Sequence, residues 1–236
     1  MSPSANDELL RIERSGASAV VTLNRPDKRN ALSIDLRLAL AEAFETLGVD
    51  PEVNAIGLTG AGSAFCAGMD VTQFGGDREH KRMLVETSVR CFAAVAECPK
   101  PTVALVNGPA MAGGFALALL CDVRVAGPDA RFGFPELGRY IPPSYAAAAW
   151  SLPAAVARDL CLTGRIIGAE EALRLGVVSR VQAGREALDE VASAPAAATE
   201  EVKRRILLHR GGASAHALMV EEERVLRAAL LGDRHA

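Results

Sequence analysis

The sequence predicts an α/β fold in which helices cover a sheet and a helical region follows. Two observations carry this. Short β-branched runs alternate with longer segments of helical spacing up to about residue 181, and strand signals stop after Gly184. The predicted strands are Ala19–Leu23 (AVVTL), Ala55–Thr59 (AIGLT), Thr102–Val106 (TVALV), Asp122–Val125 and Val177–Val181. Ser33 is placed to cap a helix whose apolar positions Ile34, Leu38, Ala41 and Phe44 recur at three and four, ending near Gly48. Arg78–Glu97 reads as a second helix, stopped by Pro99-Lys100-Pro101. Gly113–Cys121 reads as a short helix apolar on all sides, followed by helices from Tyr145 and over Ala169–Leu175. Residues 1–185 are therefore expected to form the core. Residues 186–236 are expected to be helical, over Ala187–Ala194, Thr199–His209 and Ser214–Leu230, with joints at Pro195 and Gly211-Gly212.

Composition narrows the functional classes. The chain has 236 residues, 50% of them hydrophobic, enough for a sizeable core. A formal charge of −3, with acids and bases interleaved, argues against a nucleic-acid partner. Cys66, Cys91, Cys98, Cys121 and Cys161 form no C-x-x-C pair, so reduced core thiols in a cytoplasmic protein are expected, with neither a disulfide framework nor a metal. The uncharged stretch between Lys100 and Asp122 is long enough to suggest a membrane span. It is interrupted by Asn107, Gly108, Pro109, Gly113 and Gly114, and reads instead as a strand, a loop and a buried helix. No membrane association is expected, and the N-terminus shows no secretory pattern.

Two loops share one physical logic, a strand running through a glycine-bearing turn into a helix. They are Gly60–Asp70 (GAGSAFCAGMD) and Asn107–Phe115 (NGPAMAGGF). Such turns leave amide N–H groups without intrahelical partners, and two of them facing one point can hold an oxyanion. Taken singly, glycine loops in α/β proteins are usually only turns.

Their order along the chain adds specificity. LNRPDKRNAL (Leu23–Leu32), AFCAGMD (Ala64–Asp70), VNGPAMAGGFALALLCDVRVA (Val106–Ala126), RFGFPELG (Arg131–Gly138) and LTGRIIGAEEALRLGVVSRV (Leu162–Val181) together resemble the crotonase, or enoyl-CoA hydratase/isomerase, superfamily over roughly residues 8 to 182. The resemblance implies a crotonase-like spiral of strand-strand-helix turns, followed by a helical trimerisation region, in a homotrimer or dimer of trimers. It implies an acyl-CoA thioester as substrate, with coenzyme A part of that substrate and no separate cofactor. Carried over by position, the oxyanion amides are those of Met69 and Gly113. Arg29, Ala31, Ala67, Asp70, Val71 and Thr72 fall where the family lines the CoA groove. Lys203, Arg204 and Arg205 are candidates for the CoA phosphates.

Family hydratases use two glutamates to hold one water. The first position is Ala116 here, and the second is Glu136. Adding water needs both groups, whereas moving a double bond from the 3 to the 2 position needs one base that takes a proton from C2 and returns it to C4. The pattern resembles the Δ3,Δ2-enoyl-CoA isomerases of the family, with Glu136, Met69 and Gly113 as the catalytic set. A hydratase and a non-catalytic acyl-CoA binder are the alternatives. Thioester hydrolysis and decarboxylation, also open to one-base members, stay open. Tyr140, Ser144 and Tyr145 stand where the sequence departs from the family and are candidates to reach the acyl pocket. Asp70 reads as a capping acid, His80 as a solvated side chain and Cys66 as a packing residue.

Overall fold

The computed structural model describes residues 9–210 together with Arg224 and Arg227, so the expected helix over Ser214–Leu230 and the end of the chain lie outside the described residues. The main sheet has the order β1 (Leu10–Ser15), β2 (Ser18–Leu23), β3 (Ala55–Gly60), β4 (Thr102–Val106), β6 (Val123–Ala126) and β9 (Arg180–Val181). Only β1 runs antiparallel to its neighbour; the other pairs are parallel and need crossovers, which the helices supply. Helix α1 (Ile34–Gly48) joins β2 to β3, and α2 (Arg78–Ala96) joins β3 to β4. Between β4 and β6 lie β5 (Ala110–Met111) and α3 (Gly113–Leu120).

A second sheet of very short strands stacks beside the first: β5, β7 (Arg131–Gly133) and β8 (Ile166–Gly168). Single parallel bridges extend it, Leu32 to Met69 and Cys66 to Ala110. Successive units thus add one rung to each sheet before a helix returns the chain, which is a strand-strand-helix spiral. Helices α4 (Tyr145–Ser151), α5 (Ala154–Thr163) and α6 (Ala169–Arg174) close this side.

The two faces of the main sheet bury different partners, as a period of two requires. Val21, Leu23, Ile56, Leu58, Ala104 and Val106 face the large core under α1, α2 and α3. Val20, Ala55, Val103, Leu105 and Val125 face α7 (Glu186–Ser193), which inserts Ala187, Leu188 and Ala192. Helix α8 (Ala196–Arg210) follows, and its Lys203 lies buried against Asp122 at 2.6 Å.

One strand escapes the sequence reading and two expectations need correction. Strand β1 carries three charges and exposes all but Leu10, as an edge strand does, so its apolar signal was too weak to read. On α1, Leu38 is exposed, and the buried face is Leu36, Leu40, Phe44 and Leu47 together with Arg37. The last strand is only Arg180–Val181, because Val177 and Val178 pack as a buried turn after α6.

Candidate active site

The site begins with an asparagine. Arg29 and Asn30 both take left-handed backbone conformations (φ 49° and 55°), which asparagine tolerates better than most residues. The buried Asn30 amide donates to the carbonyls of Ala61 (3.0 Å), Ala64 (2.8 Å) and Phe65 (3.2 Å), and its oxygen accepts from the Arg25 N–H (2.9 Å). This clamp fixes the segment before α1 against the loop after β3.

Leu32 then pairs with that loop. Its N–H donates to the Gly68 carbonyl (2.8 Å), and its carbonyl accepts from the Asp70 N–H (3.3 Å). Met69 sits between those two bonds. Because successive amides of an extended chain point to opposite sides, its own N–H is directed away from Leu32, toward the next rung of the small sheet.

That rung is the turn from β5 into α3. Ala112 adopts φ 53°, ψ −126°, a conformation costly for a residue with a Cβ. The turn is held by Met111 N–H to the Cys66 carbonyl and Ala112 N–H to the Gly133 carbonyl, both 2.9 Å. The first helical bond of α3 is Ala116 N–H to the Ala112 carbonyl (3.0 Å), so the Gly113 amide precedes the helical ladder. Gly68 (φ 91°) makes the approach of the two loops possible: a Cβ there would lie 2.9 Å from Ala112 Cβ and 3.2 Å from Gly113 N.

These elements wall a cavity of about 480 Å³. Met69, Gly113 and Glu136 line it, and so do Arg29, Ala31, Ala67, Asp70, Val71 and Thr72. Ala116 presents its methyl to the same space. Glu136 reaches it from a 3-10 turn, Pro135–Arg139, entered through buried Phe134. Phe134 and Phe132 pack against Phe115 of α3 in tilted contact, with ring centroids 4.9 and 5.4 Å apart, so the helix carrying Gly113 also anchors the Glu136 turn.

Several side chains take roles other than chemistry. Asp70 accepts from Thr72 N–H (3.2 Å) and Thr72 Oγ1 (2.6 Å) and pairs with Arg25 (3.0 Å). Burial pushes its carboxyl up, but the bonds from Thr72 and Arg25 outweigh that and hold it below the ordinary carboxylate value, as suits a cap. Burial pushes the Cys66 thiol up to about 12, against a weaker opposing bond from the Gly68 N–H, so it is no nucleophile at neutral pH. His80 is only partly exposed, and its ring nitrogen bonds the Gln73 carbonyl at 2.9 Å. Tyr140 points to solvent at 97% exposure and Tyr145 is half exposed, whereas Ser144 lines the cavity. Lys203 is spent on Asp122, and Arg204 and Arg205 pair with Glu201, so this basic run is engaged within the chain. Sequence reasoning missed Phe74, Phe92, Arg139, Ile141 and Pro142, which also line the cavity. No group of three or more potential metal ligands occurs among the described residues.

The sequence profile of the enoyl-CoA hydratase/isomerase family matches residues 13–210. The chain belongs to the enoyl-CoA hydratase/isomerase family. Relatives in the family include a Thermus thermophilus protein named for enoyl-CoA hydratase, 43% identical over 194 residues, 77% of this chain and 74% of that protein. A crotonyl-CoA hydratase of Syntrophomonas wolfei is 35% identical over 190 residues, covering 78% of this chain and 73% of its own. Among solved structures, an enoyl-CoA hydratase/isomerase from Mycobacterium paratuberculosis superposes with a TM-score of 0.82 at 27% identity, over 93% of this chain and 94% of that one. The crotonase spiral is therefore the fold of this chain, and acyl-CoA thioesters are the substrates on which its family acts. No helix among the described residues is long and apolar enough to cross a membrane.

Proposed function

We propose that this enzyme is a one-base enoyl-CoA isomerase that moves a double bond between the 3 and 2 positions. The observation carrying the reading is the set of acids around the cavity: Asp70 is bonded to Thr72 and Arg25 and Asp27 is exposed on the turn before α1, which leaves Glu136 as the candidate base in the space shared by Met69 and Gly113, while α3 offers only the Ala116 methyl. In this reading the thioester oxygen lies at the Met69 and Gly113 amides. Glu136 removes a proton from C2, and the electron pair moves through the thioester carbonyl to its oxygen. The resulting dienolate is reprotonated at C4 by the same carboxyl group as the double bond settles between C2 and C3. No atom is gained or lost, and one base suffices because both protons lie on the same face.

The relatives' names favour a second reading, hydration of a 2-enoyl-CoA. Hydration needs a positioned water as well as a proton donor, and the methyl of Ala116 can neither orient nor activate one. Supplying a 3-enoyl-CoA and a 2-enoyl-CoA separately divides the two. Isomerisation at least tenfold faster than hydration is expected, and hydration at an equal or higher rate overturns the proposal. Glu136→Gln is expected to remove about 10²–10⁴-fold of kcat with modest change in KM, the usual contribution of a general base. Unchanged kcat would remove Glu136 from the reaction.

A further inference from the structure

We propose that the acyl end of the cavity selects chains carrying a distal carboxylate, which Arg139 binds. This rests on the acyl-CoA reading of the site and names the class of acyl group within it. The 3-10 turn Pro135–Arg139 holds the reason. Side chains three residues apart on such a turn are eclipsed, so Glu136 and Arg139 project on the same side, about 6 Å apart along the axis. Both line the cavity. The geometry of the turn is fixed at its ends, by Pro135 at the first position and by Tyr140 in the left-handed region (φ 61°), whose N–H closes on the carbonyls of Glu136 and Leu137. That reversal sends Tyr140 into solvent and leaves Arg139 on the cavity side.

Charge makes the placement informative. Arg25 is engaged by Asp70, and Arg165 by Asp159 and Glu171. Arg139 has no acidic partner among the described residues. The cavity's other cations, Lys28 and Arg29, come from the segment before α1 that also supplies Ala31, which the family resemblance assigns to the CoA groove. Arg139 shares its turn with Glu136, and Ile141 and Pro142 just after it, together with Phe92, line the same cavity. Apolar groups that carry methylenes, followed by a planar guanidinium, match a chain ending in a carboxylate, which arginine binds through two parallel hydrogen bonds.

The test compares 3-enoyl-CoA substrates of equal carbon number ending in a methyl or a carboxylate. In parallel, calorimetry measures the Kd of the two corresponding saturated, unreactive acyl-CoAs, for the wild type and Arg139→Leu. The wild type is expected to favour the carboxylate in both assays. Arg139→Leu is expected to lower the carboxylate-to-methyl ratio about 10- to 100-fold, the worth of a charge-assisted pair. No preference in the wild type, or an equal loss on both ligands in the variant, overturns the proposal; the second result would assign Arg139 to the CoA moiety. If neither enoyl-CoA is isomerised while the saturated ligands are still discriminated through Arg139, the carboxylate reading stands and the isomerase reading falls. Because Arg139 is exposed, the leucine variant retains the fold, which an unchanged melting temperature verifies.

Discussion

A backbone amide cannot be deleted by ordinary substitution, but Gly68→Ala tests the amide pair from the side. Gly68 sits at φ 91°, where alanine costs about 1–3 kcal/mol. Its new methyl would meet Ala112 Cβ at 2.9 Å, the Met111 carbonyl oxygen at 3.0 Å and Gly113 N at 3.2 Å. The last two are backbone atoms of the turn into α3, so the strain cannot be relieved by a side-chain rotation. Overpacking of this kind adds about 1–3 kcal/mol. The chain relaxes by separating the Met69 strand from the Gly113 turn, which is the motion that spoils two donors aimed at one oxygen. A lost donor of this type costs about 2.7–4 kcal/mol in the transition state, so kcat should fall about 10²–10³-fold. Gly16→Ala is the control. It shares a positive φ (55°) but has open space around the new methyl, far from the cavity, so it should lose about 1 kcal/mol of stability and keep its turnover. Thermal melts give the stability terms, and steady-state isomerisation well below both midpoints gives kcat. A folded Gly68→Ala protein with kcat within threefold of wild type would refute the assignment of the two amides.

Three further outcomes are expected. Ala116→Glu places a carboxylate on α3 facing the cavity and should bring measurable hydration of 2-enoyl-CoA, followed by the loss of conjugated thioester absorbance; an unchanged hydration rate would show that the missing α3 carboxylate does not set the reaction. Asp70→Asn removes the charge that binds Arg25 and should cost about 1.5–3 kcal/mol at neutral pH. Because the folded carboxyl of Asp70 lies below its ordinary value of 3.8, its stabilisation is present above that value and is lost as pH falls through the folded pKa; acid melts of the wild type should show this loss and those of Asp70→Asn should lack it. Asp122→Ala leaves the Lys203 ammonium buried and should cost about 3–5 kcal/mol in urea unfolding, part of which Lys203→Met restores when added; additive losses would refute their coupling.

The longer strands and helices are legible because each is a local pattern. The runs AVVTL, AIGLT and TVALV declare themselves by β-branched residues, and Ser33 caps α1 by accepting from the Leu36 N–H as its position suggests. What stays hidden has distant partners or too few residues. Strands β5, β7 and β8 contain two or three residues each, below the length at which alternation can be seen, so the small sheet is absent from a local reading. Arg37 gives no local sign of burial, yet it is wholly buried, donating to the Leu84 carbonyl at 2.6 Å across 47 positions. Burial there lowers its guanidinium to about 10, with Cys91 and Asp70 opposing the shift. Lys203 finds its acid 81 positions away. The site divides in the same manner. Glycine loops mark where donors can be exposed, but only the resemblance brings the loop at Met69 to the loop at Gly113. Arg139, Ile141 and Pro142 lie where the sequence departs from the family, but a single arginine beside two apolar residues carries no local signal of what it faces.

Helix α3 explains how the site stays rigid with a strained residue at its entrance. Its first turn supplies the Gly113 amide, its Ala116 forms cavity wall, and Phe115 between them turns inward onto Phe132 and Phe134. Those two rings belong to the segment that delivers Glu136. The Gly113 amide and the Glu136 turn are thus both referenced to one short element that is buried along nearly its whole length. The close contact of Gly114 with Cys66, where even a Cβ would lie 2.2 Å from the carbonyl oxygen, ties the same helix to the Met69 loop. The strain of Ala112 is tolerated because packing on both sides over-determines the turn. A change of side chain at position 116 would therefore alter the groups offered to the cavity without disturbing this frame, which is how one spiral can carry different side-chain sets on the same backbone.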